Sequence, residues 1–100
     1  MPLDLIARFD CLTGAREAVM DLLTGYAAEV LVAPGVERFE FYTERARPDA
    51  VVVLERYTDA AAFQAHLDDP ANARFNRELA PLVAAGGSRL TFLERAEASC

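Results

Sequence analysis

The run Val51-Val52-Val53-Leu54 constrains the fold most. Within Ala50 to Tyr57, apolar and β-branched residues fall on both sides of an extended chain, and turn-forming residues flank the segment at Pro48-Asp49 and Thr58-Asp59. A strand apolar on both faces belongs in the middle of a sheet, covered above and below.

The neighbouring segments supply the remaining elements. Leu3, Leu5, Ala7 and Phe9 alternate with Asp4, Ile6, Arg8 and Asp10, the period-two pattern of a strand over residues 3–10. Thr13-Gly14 offers an N-cap, and the spacing Ala15, Ala18, Val19, Leu22, Leu23, Tyr26, Ala27, Val30, Leu31 predicts a helix with one apolar stripe. Pro34-Gly35 stops it. A second strand is predicted from Val36 to Glu44, with Phe39 and Phe41 on one face and Arg38, Glu40 and Tyr42 on the other. Arg45 to Asp49 is a polar hairpin connection. Thr58 or Asp59 caps a short helix ending near Leu67, and Asp68-Asp69-Pro70 turns the chain. A further helix is expected from about Ala71 to Ala84, with Phe75, Leu79, Leu82 and Val83 on one side, before Gly86-Gly87 and a last strand from Arg89 to Glu94. The order β-α-β-β-α-β is an α+β, ferredoxin-like arrangement with a four-stranded antiparallel sheet. Helices in that order cover one face only, so the other needs cover from elsewhere.

One hundred residues with 53% hydrophobic content make a single domain over residues 1–100, its core at about 3–95 and a short flexible tail after it. A net charge of −6 and a pI near 4.6 disfavour nucleic acid and anionic membrane surfaces as partners. A neutral or apolar small molecule fits that balance better. The first ten residues lack the pattern of a signal peptide and no segment is long enough to span a bilayer, so the expected location is cytoplasmic. Cys11 and Cys100 form neither a disulfide framework nor a metal-binding spacing and are expected to be reduced thiols.

The chain has no Lys, no Trp, a single histidine, His66, and only two serines, Ser88 and Ser99. Schiff-base chemistry and a phosphate-loop lysine are excluded. A serine triad would require Ser88, at the start of a strand, or Ser99, in the tail, to meet His66. One histidine cannot supply a three-histidine or two-histidine metal site within one chain, and no metal is expected.

Proton chemistry near neutral pH falls to His66, where a strand gives way to an amphipathic helix. Spacing puts Glu55 and Tyr57 on one side of the third strand, with Phe63 and His66 about one helical turn apart on the following helix. Glu55 interrupts a buried apolar segment and would be desolvated unless Arg8, Arg56 or His66 neighbours it. It is either a functional group, orienting the imidazole or acting as base, or a strand-end carboxylate in a structural ion pair. His66 either faces a pocket or bonds a backbone carbonyl. Tyr42 and Tyr57 can line a pocket and bond a ligand oxygen, or serve as structural or interface tyrosines. Asn72 and Asn76 face either a pocket or solvent.

The stretch Glu55-Arg56-Tyr57, then Ala62-Phe63-Gln64-Ala65-His66-Leu67, then Asp69-Pro70 and Phe75, resembles the antibiotic biosynthesis monooxygenase family, with its Glu-x-aromatic and Ala-x-x-x-His-Leu pattern. The resemblance extends over almost the whole chain. It implies a homodimer in which two sheets meet as a dimeric α/β barrel, and a mostly apolar ligand cavity between sheet and helices in each protomer. The anthrone oxygenases of that family carry an Asn, a Trp and a Tyr where this chain has Val53, Tyr57 and Phe63. The haem-degrading branch carries a Trp and a His where His66 and Asn76 stand here. The quinol-monooxygenase and autoinducer-processing members share the Ala-x-x-x-His-Leu pattern, with a second histidine where this chain has Ala71.

The resemblance implies a cofactor-independent monooxygenase acting with molecular oxygen on a small phenolic or quinol-type aromatic compound. His66 and Glu55 are the candidate catalytic residues; Tyr57, Phe63, Tyr42 and Asn76 are the candidate substrate-binding residues. An isomerase or tautomerase using the same acid and base, and a non-catalytic dimer that binds a small ligand, are the alternatives.

Overall fold

The computed structural model describes residues 1–96. The expected tail beyond residue 96, with Ser99 and Cys100, lies outside them. The chain forms β1 (Leu3–Asp10), α1 (Arg16–Leu31), β2 (Val36–Thr43), β3 (Ala50–Tyr57), α2 (Ala60–Asp68), α3 (Pro70–Leu79), a 3₁₀ turn (Ala80–Leu82) and β4 (Arg89–Leu93). The sheet is antiparallel throughout in the order β2-β3-β1-β4, so β3 is internal, as its two-sided apolar pattern requires.

Pairing of Leu5 with Glu55, Ala7 with Val53 and Phe9 with Val51 fixes which side chains share a face. These residues, with Tyr57 and Phe39, are buried beneath the helices. Val19, Leu23, Tyr26, Ala27 and Val30 of α1 close the core from above, and Phe75, Leu79 and Val83 extend it. The opposite face carries Ile6, Val52 and Leu54, partly buried, and Tyr42, Leu93, Arg38 and Arg56, and no helix crosses it among the described residues. β4 pairs with β1 alone and is exposed along its whole length. No described helix is long and apolar enough to cross a membrane.

Three local features differ from the sequence reading. Thr13 does not cap α1: Gly14 adopts φ +85°, and Ala15 takes the N-cap position without a side-chain bond. The helical run after Pro70 ends at Leu79 rather than Ala84. Pro81 cannot donate to a continuing helix, and Val83 leaves the turn in extended form to bridge Cys11 at the end of β1, flanked by Leu12 N–H to Leu82 O and Ala84 N–H to Asp10 O bonds. The helix also begins one residue early, with Pro70 in its first turn and Asp69 as N-cap.

Two junctions hold α2 and α3 in place over the sheet. The Asp59 carboxylate accepts from the Ala62 N–H at 2.8 Å, and that of Asp69 accepts from the Ala71 N–H at 2.9 Å. At Gly35, φ +84°, an added Cβ would stand 2.6 Å from the Ala62 Cβ, and the Gly35 carbonyl accepts from Thr58 N–H. The turn after α1 therefore seats the start of α2 through a contact only glycine permits.

Candidate active site

A cavity of about 300 Å³ lies between the sheet and the helices. Its floor is Leu5, Ala7, Phe9, Phe39, Val53 and Glu55; α1 contributes Leu23 and Tyr26, and β4 with the residue before it contributes Leu90 and Ser88. Phe63, His66 and Leu67 come from α2, and Asn72, Phe75 and Asn76 from α3.

Glu55 is 7% exposed and is the one polar or charged residue buried in the described core. Its Oε1 accepts the Tyr57 hydroxyl at 2.6 Å. Burial raises its pKa, and the Tyr57 bond opposes this in part. The expected cationic partners are elsewhere: Arg8 and Arg56 belong to the opposite face of the sheet, where Arg56 Nε lies 3.5 Å from Asp4 and 3.4 Å from Glu37. No hydrogen bond joins Glu55 to His66 among the described residues. The carboxyl instead takes its bond from a residue two positions along the same strand face, and Tyr57 in turn is fully buried, with burial and Glu55 raising its pKa.

His66 is ringed by aromatics, with centroid distances of 5.2 Å to Tyr57, 6.1 Å to Tyr26, and 6.3 Å to both Phe39 and Phe63. Desolvation lowers its pKa, the negative charge of Asp69 opposing the shift, so the imidazole is neutral at neutral pH. Neither ring nitrogen bonds a backbone carbonyl among the described residues. The ring stands between the main cavity and a smaller recess of about 110 Å³ that also touches Glu29 and Asp69.

The structure thus brings Glu55, Phe63, His66 and Asn76 to one cavity. Tyr57 stands behind Glu55 and does not line it. Tyr42 is 52% exposed on the other face of β2, its hydroxyl 3.5 Å from Glu40, and does not reach the cavity. Alternation places Tyr42 opposite to Phe39 and Phe41, so its position was already implied by the strand period.

Tyr26 is the site residue that pattern reading assigned to the core alone. Its ring stacks on Phe75 at 4.1 Å and meets Phe39 edge-on at 5.6 Å, and its hydroxyl donates to Asn72 Oδ1 at 3.1 Å. Asn76 Nδ2 donates to the same oxygen at 3.3 Å, while Asn72 Nδ2 donates to the Leu67 carbonyl. A tyrosine inside an apolar helix stripe needs a partner for its hydroxyl, and asparagines on a later helix were the available signal.

Comparison with known proteins identifies the family and the fold of the chain. Residues 2–78 match the antibiotic biosynthesis monooxygenase family. The chain belongs to that family. A search of curated protein sequences finds no match. Among solved structures, Rv0793 from Mycobacterium tuberculosis superposes with a TM-score of 0.87 at 22% identity over 100% of both chains. PA3566 from Pseudomonas aeruginosa gives 0.85 at 24% identity, covering 96% of this chain and 95% of that one. SnoaB from Streptomyces nogalater, described as a cofactor-independent oxygenase, gives 0.84 at 21% identity, covering 98% and 96%. These likenesses establish that this antibiotic biosynthesis monooxygenase domain shares the fold of those proteins.

Proposed function

We propose that this chain is a cofactor-independent monooxygenase that oxidises a small phenolic or quinol-type compound with molecular oxygen in the cavity beneath α2. The observation that carries the reading is His66, whose ring faces an apolar cavity beside a buried carboxyl, makes no side-chain hydrogen bond among the described residues and has its pKa lowered by burial. Family membership supports it, and so does the likeness to SnoaB.

A phenol is a poor one-electron donor, whereas its phenolate reduces oxygen readily. The neutral imidazole takes the hydroxyl proton, and the recess on its far side, with Asp69 and Glu29, offers a way out for that proton. Glu55, biased by burial toward its acid form when no ligand is bound and held in orientation by Tyr57, is available to a second polar group of the substrate. Phe63 and Phe39 stack against the ring. In the overall reaction one oxygen atom enters the ring, the other leaves as water, and the quinol supplies every electron as it becomes a hydroxyquinone. The cavity volume sits at the lower end for ligand pockets, which suits a compound of one or two rings.

Dissolved oxygen followed with a panel of hydroquinones and anthrones, with no metal or flavin added, tests the reading. His66→Ala is expected to lower the rate by about a hundredfold or more. No oxygen uptake across the panel, or uptake indifferent to His66→Ala, would refute it. Turnover equal in air and nitrogen would identify an isomerase instead.

We also propose a homodimer in the cytoplasm, formed through the sheet face that no helix covers. Ile6, Val52 and Leu54 make that face apolar on its two internal strands, with Tyr42 and Leu93 on the edge strands.

A further inference from the structure

We propose that the cavity selects ligands bearing a protonated amine, whose ammonium group seats on the Glu55 carboxylate while the organic body lies against the aromatic walls. The inference rests on the cavity being the ligand site. It concerns the charge of the ligand, which the oxygenase reading leaves unspecified.

Glu55 points into an apolar surrounding: its cross-strand neighbours are Leu5 and Phe39, and its single side-chain donor among the described residues is Tyr57. A carboxylate accepts several hydrogen bonds, so most of its acceptor capacity is unused. Among the described residues no arginine lies along the cavity wall, and the one basic side chain there, His66, is held neutral by desolvation. Burial alone favours the acid form of Glu55, and an ammonium ligand supplies the positive charge that holds it ionised.

The walls suit the same ligand. Tyr26, Phe39, Phe63 and Phe75 line the cavity, and a cation is attracted to aromatic rings within about 6 Å. An anionic ligand would meet the carboxyl with no cation to hold it. The net charge of −6 adds a long-range bias in the same direction.

The test is calorimetric binding under nitrogen with 4-ethylphenol, tyramine and 4-hydroxyphenylacetate, which share a phenol ring and differ in the charge of the tail. Tyramine is expected to bind about tenfold tighter than 4-ethylphenol, with 4-hydroxyphenylacetate weakest. In Glu55→Gln, with folding checked by thermal unfolding, the preference for tyramine over 4-ethylphenol should disappear. Equal binding of tyramine and 4-ethylphenol, a preference for the carboxylate, a tyramine preference that survives Glu55→Gln, or no binding by any of the three overturns the proposal. The wild-type series alone decides the matter should the variant fail to fold. Oxygen takes no part in the measurement. A protein that oxygenates neutral hydroquinones yet ignores the ammonium group loses this inference and keeps its oxygenase assignment, and the reverse result separates the two equally well.

Discussion

Glu55 and His66 occupy one cavity, yet burial acts on them with opposite sign. The carboxyl pKa is raised above its ordinary 4.5, so the folded state binds that proton more tightly than the unfolded chain. Its contribution to stability is intact below pH 4.5 and is lost as pH rises through the elevated folded value. The imidazole pKa is lowered below 6.5, so its contribution is present above pH 6.5 and is lost as pH falls toward the folded value. Thermal unfolding of Glu55→Gln should therefore match wild type most closely near pH 4 and exceed it increasingly toward neutrality; a gap independent of pH would contradict the assignment. Gly35 gives a second single-residue prediction. Gly35→Ala places a Cβ 2.6 Å from that of Ala62 at a φ of +84°, so a loss of about 2 kcal/mol or more is expected in urea unfolding.

Most of the secondary structure was legible in the sequence because each element carries its own period and its own stop. Pro34-Gly35 followed the end of α1 and Asp59 began α2 with a carboxylate that meets an exposed amide, whereas Asp69, read as part of a turn, proved to cap α3. Replacing Asp59 by Ala should lower stability by about 1 kcal/mol, with the loss confined to amides of α2 in hydrogen exchange. The illegible parts were contacts between distant segments. Pro81 marks the end of the helix locally, but nothing local to Val83 announces that it will pair with the end of β1, since its partner Cys11 lies some seventy positions away. The same holds for the site. Strand period put Glu55 and Tyr57 on one face, and helix period put Phe63 and His66 one turn apart, but the Tyr57 to Glu55 bond and the reach of Tyr26 across to Asn72 depend on how α1 and α3 pack over the sheet.

Across the whole molecule, the sheet is finished on one side only. A charge placed at the centre of the bare face, Leu54→Arg, is expected to convert a dimer into a folded monomer in sedimentation at micromolar protein, since Leu54 sits between Ile6 and Glu40 on that face. A wild-type protein that sediments as a monomer would contradict the proposed assembly. β4 forms one edge of the sheet, pairing among the described residues with β1 and exposed along its five residues, while Leu90 borders the cavity and Phe92 leans on Phe63 at 5.7 Å. A wall fastened along a single seam is the easiest part of an enclosure to swing. A ligand bound against Leu90 is expected to slow deuterium uptake at β4 before any other strand.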